Sequence, residues 1–128
     1  MLRQKRDERL RREERLRSKK DFEAIAKEGR RRHTKNFLVI TRKNDRGFSR
    51  LGAVASKKLG KAVERNRVKR LMREFFRRNK DRLPRSTDYM IVGKKGAQDL
   101  PYAHVADELS ALLKLRREDN QRSGSAPL

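Results

Sequence analysis

Cysteine is absent from this 128-residue chain, and so is tryptophan. Without cysteine there are no disulfides and no thiolate metal sites, and a reducing, cytoplasmic setting is the expectation. Hydrophobic residues make up only 34% and aromatic residues 5%. The core must therefore be small, and the length suits one compact domain. No apolar run approaches the ~20 residues that span a bilayer. The N-terminus, MLRQKRDERLRREERLR, lacks the hydrophobic segment of a secretory signal. Acidic residues are scarce as well: 17 Asp and Glu stand against 38 Lys and Arg, a net charge of +21. A compact monomer with that charge repels itself, and the phosphates of a nucleic acid are the natural counter-charge.

Catalytic side chains are equally thin. His33 sits in a basic linker, GRRRHTKN, and His104 opens the last helix, so a paired acid–base role is hard to build. His104 with Asp107 and Glu108 does not match a zinc-protease helix. A nuclease with its own metal site would want clustered carboxylates, and Asp21, Asp81, Asp88 and Asp99 are scattered. Gly60-Lys61 after a strand invites comparison with a phosphate-binding loop. That comparison fails because Ala62 stands where Ser or Thr would hold magnesium.

What the chain does have is concentrated between Lys57 and Lys80, KKLGKAVERNRVKRLMREFFRRNK, with eleven cations against Glu64 and Glu74. Val68, Leu71, Met72, Phe75 and Phe76 recur at helical spacing and form one apolar stripe. At ~100° per residue, Ala62, Asn66, Arg70, Arg73 and Arg77 fall on the opposite side, with Lys69 beside them. The spacing predicts a helix from about Lys61 to Asn79 that docks on a core with one face and offers a polyanion the other. A leucine-zipper DNA reader would need apolar heptads to follow, and Pro84 and a strand follow instead.

Around this helix the pattern predicts an α-β-β-α-β-α order, a two-layer α+β sandwich. Ser18 is a helix start, Phe22, Ile25 and Ala26 an apolar stripe, and Gly29 a stop. FLVITRK (37–43) reads as a strand, Asn44-Asp45-Arg46-Gly47 as a turn, and Phe48 to Ser56 as a second strand completing a hairpin. Gly52 within it signals a bulge or a close backbone approach. DYMIVG (88–93) is a third strand, and a last helix from Pro101 turns Val105, Leu109, Leu112, Leu113 and Leu115 inward. Residues 1–14 read as a charged, fraying arm, 15–116 as one nucleic-acid-binding domain and 117–128 as a disordered tail.

The run RLGAVASKKLGKAVERNRVKRLMREFF, Arg50 to Phe76, resembles the protein subunit of bacterial ribonuclease P. The matching positions are Arg50-Leu51-Gly52, Ser56-Lys57-Lys58, Gly60, Ala62-Val63, Arg65-Asn66-Arg67, Lys69-Arg70 and Arg73-Glu74. Outside the run, Asp21-Phe22, Phe37 and Asp88-Tyr89 also match. The resemblance implies a subunit of an endoribonuclease that removes the 5′ leader from precursor tRNA, with the chemistry in a catalytic RNA and its Mg2+. No catalytic residue, metal site or cofactor is then expected in the protein. Lys57, Lys58, Arg65, Asn66, Arg67, Lys69, Arg70 and Arg73 would bind the RNA subunit. Phe22, Phe37, Ser56 and Lys94 would bind the tRNA leader in a cleft between the first helix and the sheet. Ala26 and Ile40 stand where other members often carry aromatics, and Lys94 where Arg is commoner. The resemblance also implies the fold of the second domain of ribosomal small-subunit protein five, with a left-handed β-α-β crossover. The partners are the RNA subunit and precursor tRNA, with no membrane and no protein partner. The alternatives are a structural rRNA-binding ribosomal protein and a protein nuclease.

Overall fold

The computed structural model describes residues 10–115. The expected tail, 117–128, and the first nine residues of the expected arm lie outside the described residues. Three α-helices and four strands follow in the order α1 (Lys19–Glu28), β1 (Arg30–His33), β2 (Phe37–Lys43), β3 (Arg50–Ala55), α2 (Ala62–Asn79), β4 (Thr87–Gly93) and α3 (Tyr102–Leu112). Short 3-10 turns lie at Arg12–Glu14, Lys57–Leu59 and Ala97–Asp99.

Local chemistry sets the helix ends. Ser18 Oγ accepts from the backbone N–H groups of Lys20 and Asp21, an N-cap of the kind that stabilises a helix by ~1 kcal/mol. Asp21 does not close a capping box; its carboxylate reaches Arg50 instead, at 3.3 Å. α1 ends at Gly29, in extended backbone, and the site admits only glycine, since a Cβ there would sit 2.5 Å from Ile40 Cγ2 and 2.6 Å from the Ile25 carbonyl oxygen. At the start of α2, Glu64 folds back to accept from the Lys61 N–H at 2.8 Å.

The sheet order is β1-β2-β4-β3. β2 pairs antiparallel with β1 and β4, whereas β3 runs parallel to β4. This corrects the expected hairpin, because β4 lies between β2 and β3. The turn chemistry itself is present, with Asn44 Oδ1 accepting from the Arg46 N–H and Gly47 at φ 85°. What it joins are strands two places apart. β4 takes the centre because Thr87–Ile91 are buried without interruption, whereas β3 is buried only at its start and then half-exposed through Ala53–Ala55.

A second correction is β1 itself. The stretch expected as a linker, Arg30–His33, is an edge strand in register with Thr41–Leu38. Its side chains secure two helix C-termini: Arg31 donates to the Ala26 carbonyl of α1 and Arg32 to the Leu112 carbonyl of α3. Cations favour helix C-termini, where unpaired carbonyls collect.

Each sheet face has its own core. Phe37, Val39, Leu51, Tyr89 and Ile91 meet Val68, Met72, Phe75 and Phe76 of α2 and Val105, Leu109 and Leu112 of α3. The apolar stripe of α2 is thus buried as its spacing predicts. On the other face α1 provides the cover together with Leu16 from the segment before it, and Ile25 and Leu16 pack with Ile40 and Met90. Gly52 makes the close approach anticipated from the sequence: a Cβ there would lie 2.5 Å from Phe22 Cε1. There is no bulge, since β3 and β4 pair continuously from Arg50 to Ala55.

A buried ion pair ties these layers together. Arg50 Nε and Nη2 each donate to Asp88 at 2.8 Å, and Asn44 Nδ2 adds a third bond at 2.7 Å. Burial alone would raise the Asp88 carboxyl, but the bonds from Arg50 and Asn44 and the charges of Arg50 and Arg42 hold it below the usual carboxylate range. Through Asp21 the same guanidinium reaches α1.

Candidate nucleic-acid interface

The solvent face of α2 follows from the burial of its other side. With Val68, Met72, Phe75 and Phe76 fixed inward, Ala62, Asn66, Arg70 and Arg73 are exposed. Lys57 and Lys58 are exposed on the 3-10 turn before the helix, which Leu59 anchors in the core. The seven cations and one amide predicted from this stretch are therefore not equivalent. Arg67 is half-buried and donates to the Gln98 and Leu100 carbonyls at 3.0 Å each, stapling α2 to the turn before α3. Arg65 donates to the Gly60 carbonyl. Each has spare N–H donors, but its position is set by the protein. Asn66, Lys69, Arg70 and Arg73 have no carboxylate partner among the described residues.

The opposite sheet face is only half covered. Beyond α1, the register aligns Leu38, Val92 and Val54 in one row across three strands, all half-exposed. Phe22 and Ala26 of α1 border this row. Ser56 and Lys94 follow β3 and β4 at the same end of the sheet, Ser56 exposed and Lys94 donating to the Thr34 carbonyl at 2.8 Å.

Phe37 is not part of this surface. It is 0% exposed, and its register with Gly93 turns it to the α2–α3 face. Phe22 and Phe37 lie on opposite faces, so the two rings do not share a cleft, and Phe37 is a core residue. Leu38, Val54 and Val92 went unremarked in the sequence. The signal for Leu38 was the alternation in FLVITRK, which sends Phe37 and Val39 one way and Leu38 and Ile40 the other.

Among the described residues no three His, Asp or Glu side chains come close enough to hold a metal ion. His33 is exposed on the edge strand, and His104 is exposed with its Nε2 3.3 Å from Glu108. Glu108 is already bonded to the backbone and side-chain nitrogens of Asn36. No helix among the described residues is long and apolar enough to cross a membrane.

Known proteins share both this sequence and this fold. The ribonuclease P family model matches residues 10–116. The ribonuclease P protein component of Syntrophus aciditrophicus is 45% identical over 104 residues, covering 81% of this chain and 87% of that protein. That of Thermotoga maritima is 41% identical over 107 residues, covering 80% and 92%. The solved Thermotoga maritima ribonuclease P protein superposes with a TM-score of 0.72 over 79% of this chain and 96% of its own, at 41% identity. The Staphylococcus aureus ribonuclease P protein does so with a TM-score of 0.72 at 33% identity, over 79% and 93%. A four-stranded α+β fold, a signature helix presented as its periodicity predicts, and these matches along four-fifths of the chain lead to one assignment: the chain belongs to the ribonuclease P protein family.

Proposed function

We propose that this ribonuclease P protein docks on the RNA subunit through the outer face of α2 and receives the 5′ leader of precursor tRNA on the uncovered half of the opposite sheet face. The observation that carries the docking role is the exposed row Asn66, Arg70 and Arg73 on a helix whose other side is locked into the core. Lys57, Lys58, Arg65 and Lys69 extend the positive field, and Arg67 sets the angle of the helix. Neutralising several phosphates releases their counterions, so affinity falls steeply with salt. Asn66 can donate and accept at once, as contact with a base edge or a ribose hydroxyl requires.

For the leader, Phe22 offers a half-exposed ring and Leu38, Val54 and Val92 an apolar floor. Ser56 and the spare donors of Lys94 stand at its end for phosphate oxygens. A base stacked on Phe22 contributes ~1–3 kcal/mol. With one aromatic platform instead of two, leader binding leans on the apolar floor and on phosphate neutralisation. Bond cleavage is assigned to the RNA subunit and its Mg2+, as the family resemblance implies; among the described residues no cluster of His, Asp or Glu fits a metal centre. The domain is taken as residues 15–116 with the segment from Leu10 packed onto it, and its location as cytoplasmic. The parallel β3–α2–β4 unit needs a crossover connection. It is assigned the left-handed sense and the ribosomal-protein-like topology that the family resemblance implies, against the right-handed default. The relatives named above are ribonuclease P proteins, which favours this reading over a ribosomal one.

Reconstitution tests it. Precursor tRNA should be cleaved efficiently at moderate Mg2+ only when the RNA subunit and this protein are both present. In a salt titration of RNA-subunit binding, Arg70→Ala and Arg73→Ala should each shallow the slope of log K against log salt by about one. Unchanged slopes in both would remove α2 from the interface.

A further inference from the structure

The end of the expected arm, Leu10–Glu14, and the adjoining Arg15–Arg17 are fastened to the domain at successive points. The Arg11 N–H donates to Glu14 Oε1 at 2.6 Å. Glu14 is buried to 9% exposure and takes the Lys80 ammonium at 3.2 Å. The Leu16 N–H donates to the Leu51 carbonyl at 2.8 Å, and its side chain is buried against the α1 core. Between these anchors Arg15 pairs alongside Leu51 of β3 while its own side chain stays exposed.

Arg15 therefore stands at a fixed place beside α2. With Leu10, Arg70, Arg73, Glu74 and Arg77 it lines a hollow of about 310 Å3. A smaller hollow of about 150 Å3, also lined by Leu10, Arg15 and Arg73, continues to Arg17. The one carboxylate in the first lining, Glu74, is paired with Arg78 at 2.6 Å and with Arg77 of the same lining at 3.8 Å, and with neither Arg15 nor Arg73. Burial and the neighbouring charge of Arg15 both weaken the hold of Arg73 on its proton. Two guanidinium groups held near each other with no carboxylate between them repel, and an anion seated between them reverses the sign of that interaction. Arginine's planar fork is suited to the oxygens of a phosphodiester.

We propose that Arg15 and Arg73, flanked by Arg70 and Arg17, form a clamp built from two chain segments for the phosphodiester backbone of the RNA subunit. The N-terminal segment is then part of the docking surface. This rests on the reading that α2 faces the RNA subunit and extends it to a residue 50 positions or more upstream of the signature helix's exposed face.

The test is a salt titration of RNA-subunit binding by the full chain, without tRNA, for Arg15→Ala, Arg73→Ala, the double variant and Arg30→Ala. The last removes an equal charge at the opposite sheet edge. Arg15→Ala should weaken binding about tenfold, the scale of one charged hydrogen-bonded contact, and shallow the salt slope by about one. Arg30→Ala should do neither. The double variant should lose less than the product of the two single losses, because both residues hold one group. At low salt the free Arg15→Ala protein should melt no lower than the wild type, since the change relieves a repulsion. A lower melt with unchanged RNA affinity would make Arg15 structural and overturn the clamp. Wild-type binding by Arg15→Ala beside weakened Arg73→Ala would overturn it too, with the α2 interface left standing. Wild-type binding by both would overturn the interface and the clamp together. A defect seen only when precursor tRNA is added would assign the phosphate to the substrate and overturn the proposal.

Discussion

Replacing Asp88 by Asn should cost this small domain more than almost any other isosteric change. The carboxylate is 0% exposed and receives two bonds from Arg50 and one from Asn44, all at 2.7–2.8 Å. The amide keeps the shape but removes the charge, leaving a guanidinium at 7% exposure with only Asp21, at 3.3 Å, to balance it. Breaking one side of a buried pair costs ~3–5 kcal/mol. For a domain of this size that is about 12–20 °C in melting midpoint. The pH dependence has a definite sign. Because the folded carboxyl titrates below its unfolded value, its contribution is complete above about pH 4 and is lost as pH falls through the lower, folded value. The gap between the thermal melts of the two proteins should therefore narrow as pH falls from 7 toward 2.5. Replacing the pair together, Arg50→Met with Asp88→Leu, should recover most of the loss. A midpoint for Asp88→Asn within about 3 °C of the wild type would refute the view that this pair holds the layers together.

Phe37→Ala should destabilise the domain by ~3–5 kcal/mol and lower the affinities for precursor and mature tRNA together; a loss confined to leader-bearing substrate would contradict its place in the core. Gly52→Ala should push the Phe22 ring off β3, costing ~1–3 kcal/mol and weakening leader binding while RNA-subunit affinity holds. Asn66→Ala should move stability by under ~0.5 kcal/mol yet impair RNA docking. Arg67→Ala should instead lower the melting midpoint, by ~1–3 kcal/mol in stability, because the two carbonyls of Gln98 and Leu100 lose their donor; paired denaturation and RNA-binding curves separate the two residues.

The parts of the fold legible in the sequence are those where one face of one element decides. The α2 stripe, the Ser18 cap, the inward residues of α3 and the close approach at Gly52 all follow from spacing or from a single residue's chemistry. β1 was illegible because Arg-Arg-Arg-His has no apolar alternation; its strand form comes from backbone pairing with β2 and from two helix ends that its arginines cap. The docked segment before α1 was missed for a related reason. Its charges outnumber its apolar groups, and two side chains, Leu16 in the core and Glu14 under Lys80, fix it.

The false hairpin carries the sharper lesson. Asn44 to Gly47 does form a turn, so the local reading was right and the pairing drawn from it was wrong. The information that overrules it lies about forty residues away, in β4. A strand alternating apolar and polar suits an edge or a half-covered sheet, whereas Tyr-Met-Ile-Val is apolar at consecutive positions and demands cover on both faces and neighbours on both sides. β3, with Gly52, Ala53 and Ala55, has too little bulk to fill the centre. Ranking the strands by how much each must bury would have put β4 between β2 and β3. That in turn makes the β3–β4 pair parallel, with α2 as the connection between them. The same step would have placed Phe37. Once β4 is central, Phe37, paired with Gly93, lies on the face that α2 and α3 cover, and no ring in that position stays free to stack on RNA.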